Sequence, residues 1–575
     1  MTRLSDKGKV LFILFVTLGI YYPSVFGEIN SVDDQEMITA LINTTHIDLK
    51  ELFLPFRPFD YYRPILWLSF LFDRFLFQCN EIFMHLNNIL IHAMNGVLVF
   101  LIARELNRIF KIDNASYYAL FASLIFILHP VNTEAVNFIS GRTDLLAGLF
   151  TFSALLIFLL FGLKNYIWCW LSSILYLLAL LSKEVAMGLL PAIFLFLTIK
   201  GIPLEGDRKI KESLKLLLPF ILITVFYFVL RFIASGHSDE GVMKAIGASV
   251  NTDLLVRTGS AIKAFGFYIK KLFIPIPLNF GIIDINRTFY FWFGLIALAV
   301  SLYLLLRRDN LSFYFLLAII FFLPAIPVAI SIIAWTPLAE RYLYISSFGI
   351  SMFVAKLWAN LPFQRRLSEF LVLALLIISA LITVNRNIIW QSNLTLYADT
   401  IKKSPNFAPA RNEYGLALMR LGRYDEALEQ FRQAQKLAGN SKYKELPVLN
   451  IIAIEGRNKK PEDLKKDYLK VLEITKSHKI KSEILRRLIK ITEDEIRNTN
   501  NEVKRPLLFK EEIDYLERLF KLERNGFYLY RIGQLNLALG DRFKAKRYFS
   551  EAIAISSPEE YFAVNAKKLI EKIEE

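Results

Sequence analysis

Cysteine is nearly missing from this chain of 575 residues, with only Cys79 and Cys169. Cys169 lies inside an apolar run, so a disulfide framework is excluded as the organising principle. Histidine is sparse too, at six residues, and no Cys/His group has the spacing of a zinc site. A phosphate-cradling glycine loop, a Walker motif and a dinucleotide fingerprint are all absent, which disfavours an ATP-driven pump or a cytosolic nucleotide-sugar enzyme. The formal net charge is +15, but it is spread over loops and helices. Without an arginine-rich arm or zinc-finger spacing, nucleic acid is not an expected partner. Charged residues make up 21% of the chain and are scarcest in residues 1–384.

What fills that region is apolar. Hydrophobic residues are 54% of the chain and mean hydropathy is +0.40, which excludes an ordinary soluble enzyme and a disordered chain. The pattern predicts an all-α protein: a polytopic helical membrane domain over 1–385 and a soluble domain over 386–575. A spanning helix needs about 20 apolar residues. Eleven candidate segments are 10–26, 83–103, 116–130, 143–162, 166–182, 185–199, 215–234, 289–306, 311–330, 343–359 and 369–385. Basic clusters give the orientation. Arg3, Lys7 and Lys9 precede the first segment, and Arg104, Arg108 and Lys111 follow the second. Lys164 follows the fourth, Lys200, Arg208, Lys209, Lys211 and Lys215 the sixth, Arg307 and Arg308 the eighth, Arg365 and Arg366 the tenth. With eleven segments all of these share one side, which reads as the cytoplasm. The other side receives 27–82, 130–143, 235–288, 331–342 and the tail, periplasmic in a bacterium or luminal in the endoplasmic reticulum. A cleaved leader is the minor alternative for the first segment, because 24–27 is a poor cleavage site. Segment 254–275 mixes Lys263, Lys270 and Lys271 with apolar residues and reads as an interfacial helix.

The tail contains a repeat. Residues 408–438 carry Tyr414, Gly415, Leu418, Gly422, Tyr424, Ala427, Phe431 and Ala434. Residues 526–556 carry Ile532, Gly533, Gly540, Ala545, Phe549 and Ala552 in the same register. This is tetratricopeptide spacing, where small residues let two antiparallel helices approach and aromatics fill the seam. The tail therefore reads as a tetratricopeptide-repeat α-solenoid. The copies are not separated by a multiple of the repeat length, so 440–525 should hold divergent helices, amphipathic at 481–498 and 507–523. Such a unit is either a peptide-binding groove or a packing module.

Ionisable residues between apolar helices are costly and usually functional. The first outer loop has Asp33, Asp34 and Glu36, where paired carboxylates can supply a general base and an orienting partner. A solvated acidic loop is the plain alternative. The next outer segment holds His129, Glu134, Arg142 and Asp144; Lys183 and Glu184 end the fifth apolar segment; Glu340, Arg341 and Tyr342 precede the tenth. Arg142, Lys183 and Arg341 map to the same face as the aspartates and suit a lipid-linked phosphate, with structural ion pairing as the alternative. His85, Asn88, His92 and Asn95 form one polar stripe, expected to make interhelical hydrogen bonds rather than bind metal.

These motifs together resemble a known family. They are Tyr62-Arg63-Pro64-Ile65 with Asp73, His85-Leu86-Asn87-Asn88, His129-Pro130 with Thr133-Glu134-Ala135-Val136, Gly141-Arg142-Thr143-Asp144, Ser182-Lys183-Glu184 and Ala339-Glu340-Arg341-Tyr342. With the carboxy-terminal repeats, the chain resembles the transmembrane and tetratricopeptide-repeat protein O-mannosyltransferases, which are GT-C glycosyltransferases. The resemblance implies a GT-C-like transferase domain over 1–385, acting at the outer leaflet on a sugar carried by polyprenyl or dolichyl phosphate. The acceptor it implies is a protein Ser or Thr hydroxyl, engaged through the repeat domain. Asp33 would be the base and Asp34 its orienting partner. Arg63, Arg142, Lys183 and Arg341 would offset charge on the leaving phosphate, and His129, Glu134, Asp144, Glu184, Glu340 and Tyr342 would complete the donor and substrate set. Inversion at the anomeric carbon is expected; no cofactor is called for, and a divalent metal is left open. The chain departs from many members in having Ser346 and Ser347 where a proline follows the Glu-Arg motif. Two other readings stand beside this one: a non-enzymatic membrane scaffold whose tail recruits partners, and a glycolipid or polysaccharide transferase.

Overall fold

Apolar runs that meet lipid must satisfy their backbone internally, and here each one forms a helix. The computed structural model describes all residues except 1–3, 43–48, 55–61, 201–205, 235–252, 284, 331–335, 361–364, 440–443 and 557–559. Among the described residues, eight helices are long and apolar enough to cross a membrane: Asp6–Phe26, Glu81–Ile109, Ile139–Gly162, Lys211–Ala234, Arg287–Arg307, Asn310–Ala329, Glu340–Ala359 and Leu367–Ile389. A further pair, Ala115–Leu128 with Pro130–Asn137, is bent by 47°. Pro130 lacks a donor and holds the preceding residue extended, and His129 has ψ 118°. Ile167–Leu180 and Glu184–Ile199 are shorter apolar helices. All eleven expected segments thus fall on helices. Leu254–Phe273 is also helical and packs on Arg287–Arg307. A Cβ on Gly294 would sit 2.2 Å from the Ile262 carbonyl oxygen, so glycine sets that close approach. Among the described residues, the one isolated bridge between extended segments joins Ile282 and Leu338.

The Glu81–Ile109 helix packs against Asp6–Tyr21, Ala115–Leu128 and Arg142–Ile157. Three residues of its polar stripe, Asn88, His92 and Asn95, bond across helices as expected. Asn88 donates to the carbonyls of Val136 and Phe138, at 3.3 and 3.1 Å. His92 Nδ1 lies 2.8 Å from the Tyr344 hydroxyl, and Asn95 donates to the Leu145 carbonyl at 2.9 Å.

The chain divides into two compact units, Met1–Pro405 and Asn406–Glu575. The first runs past the expected boundary at 385. Loss of apolar character marks where lipid contact ends, not where packing ends. Asn393 hydrogen-bonds Glu28 and the Ile29 carbonyl, Arg386 pairs with Asp399, and Ser404 accepts from Asn279. These bonds hold the Asn393–Lys403 helix to the membrane unit.

In the second unit, Ala408–Arg420 pairs with Tyr424–Ala438, and Gly526–Ala538 with Arg542–Ile555. A Cβ at Gly415 would meet the Phe431 ring at 2.6 Å, and one at Gly533 the Phe549 ring at 2.5 Å. Both pairs therefore share one seam geometry. Between them lie Glu445–Glu455, Pro461–Ile474, His478–Asn498 and Lys504–Glu523, so the divergent stretch is helical where described.

Candidate active site

Asp33 and Asp34 take different places. Asp33 is exposed, and Asp34 is buried. Asp34 accepts from the Ser140 amide at 2.8 Å, the Ser140 hydroxyl at 2.5 Å and the Ile139 amide at 3.3 Å. It therefore fixes the turn Ile139–Gly141 that leads into the Arg142–Ile157 helix. Burial pushes the Asp34 carboxyl up to about 7, against the lowering effect of these hydrogen bonds.

Asp33 acts electrostatically on Arg341, which belongs to a set of neighbouring ion pairs. Lys183 Nζ sits 2.7 and 2.6 Å from the two Asp144 oxygens and 5.0 Å from the centre of the Tyr342 ring. Arg341 pairs with Glu134, whose Oε2 also accepts the Glu340 amide at 3.0 Å, and its guanidinium lies 5.2 Å from the Tyr342 ring centre. Arg63 approaches Glu184 at 3.2 Å, and Arg231 reaches the other oxygen of the same carboxylate at 2.9 Å. These pairs are one electrostatic group. Asp33 and Asp144 act on Arg341, while Arg63 and Arg341 act on Lys183. Burial draws the Lys183 ammonium down to about 8, the two arginines add to the fall, and Asp144 opposes it. Arg63, Lys183, Arg231 and Arg341 all keep part of their side chains accessible. Cations so placed can hold an anion beside a carboxylate that reaches solvent.

Other residues singled out in the sequence have structural places. Arg142 is 1% exposed and fully engaged: it pairs with Asp73 at 2.6 Å and donates to Asn88 Oδ1 at 2.7 Å, the Met84 carbonyl at 2.9 Å and the Ser69 carbonyl at 3.3 Å. Its guanidinium also covers the Phe70 ring at 4.5 Å. Its side chain thus ties Pro64–Phe77 and Glu81–Ile109 to its own helix rather than joining the Lys183 group, because all three guanidinium nitrogens find oxygens there. Glu340 pairs with Lys271 at 2.5 Å and accepts the Asn279 amide at 3.1 Å. His129 Nε2 lies 3.0 Å from the Leu272 carbonyl, with Nδ1 accepting from the Val131 amide at 3.3 Å.

Sequence reasoning missed Arg231 and Lys271. Arg231 was hidden within the apolar run 215–234, yet a single arginine there is itself a signal. Lys271 was absorbed into the interfacial reading of 254–275. Among the described residues, no group of three or more His, Cys, Asp or Glu side chains is placed to share a metal ion.

A tetratricopeptide-repeat family model matches residues 408–441. The chain is similar to human protein O-mannosyl-transferase TMTC3, 25% identical over 413 residues, covering 65% of this chain and 44% of that protein. It is also 25% identical over 390 residues to protein O-mannosyl-transferase F38B6.6 of Caenorhabditis elegans, covering 65% and 54%. A shorter stretch of 115 residues is 32% identical to protein O-mannosyl-transferase tmtc2 of Xenopus laevis, covering 19% and 13%. The chain spans about half the length of the curated relatives it matches, 44% and 54% for the first two. With its long apolar helices it is an integral membrane protein.

Proposed function

We propose that this chain, similar to the transmembrane and tetratricopeptide-repeat protein O-mannosyl-transferases, is itself a membrane glycosyltransferase that modifies proteins. The donor is a sugar on a polyprenyl or dolichyl phosphate, and the acceptor is a Ser or Thr hydroxyl. The carrying observation is the ion-pair group that joins Lys183–Asp144, Arg341–Glu134 and Arg63–Glu184, with the exposed Asp33 acting on Arg341. In this reading Asp33 takes the proton of the acceptor hydroxyl as its oxygen bonds to the anomeric carbon. The bond from that carbon to the phosphate oxygen breaks, and the lipid phosphate leaves with the electron pair. Attack from the side opposite the phosphate inverts the carbon. Lys183 and Arg341 stabilise the charge that develops on the phosphate, in a partly dehydrated setting where such stabilisation is strongest. Asp34 does not carry the proton: both its oxygens are committed to the Ile139–Gly141 turn, and it acts by holding Asp33 beside Arg341. Arg142 is removed from the donor set and assigned to holding helices together. The basic clusters support an amino terminus in the cytoplasm, with Asp33 and the repeat tail on the other side. The repeat unit supplies a surface for the acceptor protein.

The test is transfer by the full chain in lipid nanodiscs, with an isoprenyl-phosphate mannose and Ser/Thr-containing peptides, read by mass spectrometry. The native protein should add hexose to a hydroxyl. Asp33→Asn should keep its fold and lose about 10²–10⁴ of the rate, since Asn cannot accept the proton. Full activity in Asp33→Asn would remove Asp33 as base, and hexose found only on lipid would replace the protein acceptor with a glycolipid.

A further inference from the structure

We propose that Arg231 is a further donor-binding residue, which with Arg63 forms a clamp across Glu184 for the phosphate of an isoprenyl-phosphate donor. The inference rests on the glycosyltransferase reading above and adds where the lipid enters. Arg231 lies in the last turn of the Gly206–Ala234 helix. The helix presents an apolar surface outward: Phe228, Val229, Phe232 and Ile233 are each about half exposed, at 50%, 49%, 56% and 52%. In a membrane that surface meets hydrocarbon. Arg231 points the other way. Its side chain is 11% exposed, reaches Glu184 Oε1 at 2.9 Å and lies 3.2 Å from the Tyr227 hydroxyl. Tyr227 in turn packs against Tyr62, the neighbour of Arg63, with ring centres 6.5 Å apart.

One helix end therefore joins a lipid-facing surface to the cation group. A guanidinium at such a place is expensive unless it meets an anion; Arg231 shares the single Glu184 carboxylate with Arg63, so the two cations exceed the one anion between them, and the planar fork suits phosphate. Glu184 keeps Arg63 and Arg231 on the same carboxylate, one oxygen each. Lys183, the next residue along, carries the cation that Arg63 and Arg341 already disfavour, so an entering phosphate would relieve that repulsion. A soluble phosphate needs no apolar surface beside its site; a lipid-linked one does. The observations thus favour a donor whose phosphate meets the accessible edges of Arg63 and Arg231, 19% and 11% exposed, beside Glu184, and whose chain stays in the bilayer along Phe228 and Phe232.

The probe is farnesyl phosphate, titrated against the full chain in nanodiscs, with inorganic phosphate and phosphatidylglycerol as competitors. We expect Arg231→Gln to weaken farnesyl phosphate binding about tenfold or more, Arg231→Lys to recover part of the loss, and thermal stability to change little. Inorganic phosphate and phosphatidylglycerol should compete weakly. Unchanged farnesyl phosphate affinity in a folded Arg231→Gln variant, with native binding intact, overturns the role of Arg231 and leaves the donor reading standing. Equal, Arg231-dependent binding of phosphatidylglycerol makes the clamp a site for bulk anionic lipid and overturns the proposal. No binding of farnesyl phosphate to the native chain overturns the lipid-phosphate donor itself.

Discussion

The two ends of the membrane unit use the same charged residue types in opposite ways. At the end where the Glu81–Ile109 helix finishes, Arg104 pairs with Asp6, and these side chains are 36% and 43% exposed. Arg307 with Asp309 is similarly open. At the end where that helix begins, Arg142 with Asp73 is 1% and 0% exposed, and Lys183 with Asp144 is 9% and 2%. Exposed pairs gain little and cost little. Buried pairs rarely outperform apolar packing of the same volume, because both ions must first lose water. Among the described residues, the other end holds pairs with at least one open partner, so a cluster of pairs buried on both sides at the Asp33 end is weak support for stability and stronger support for a site that must handle charge. The Asp33 end also contains two kinds of pair. Arg142 with Asp73 is closed on every side, whereas Lys183, Arg341, Arg63 and Arg231 keep an accessible edge.

The largest effect we expect from breaking this contrast is at the closed pair. Arg142→Met strands the Asp73 carboxylate and should destabilise the protein by about 3–5 kcal/mol. The double variant with Asp73→Leu should recover most of that, as chemical denaturation in nanodiscs would read. Donor KM in the recovered double variant should stay near native. A large rise in KM there would return Arg142 to the donor site.

Asp34 gives a smaller, pH-dependent effect. Its carboxyl stands near 7 in the folded chain and near about 3.9 unfolded. Between those values the folded state holds a proton that the unfolded state lacks, so this contribution to stability falls as pH rises through the window. Asp34→Asn removes the slope, and the native protein should lose on the order of 2 kcal/mol more than the variant between pH 5 and pH 7. Parallel stability curves would mean Asp34 does not titrate there.

Much of this was legible in the sequence, for reasons that differ by residue. The eleven apolar segments became helices because a long apolar run in lipid has no other way to satisfy its backbone. The Gly415/Phe431 and Gly533/Phe549 seams were legible because the repeat fixes which residues meet. Pairing across helices was not. The sequence placed Arg142, Lys183 and Arg341 on one face by loop position, but the direction of the Arg142 side chain depends on Asp73, Asn88 and Met84 from other helices. Arg231 escaped because hydropathy averaged over a run conceals one charge. The division of labour between Asp33 and Asp34 is equally non-local, since Asp34 finds its donors at Ile139 and Ser140.

The smallest effect should come from the open end. Arg104→Gln breaks the contact with Asp6 and should change stability by no more than about 1 kcal/mol, because that pair is solvated. Sugar transfer should be unaffected. A severe loss of transfer would erase the distinction between the two ends.

The central claim is that a lipid-linked donor binds at the Asp33 end. It is tested most directly by cross-linking a photoreactive isoprenyl phosphate to the full chain in nanodiscs and mapping the labelled peptides by mass spectrometry. The account predicts label on peptides carrying Arg63, Lys183 or Arg231, reduced by excess unlabelled isoprenyl phosphate. Label concentrated on peptides around Asp6 and Arg104, or label that does not respond to the competitor, would contradict it.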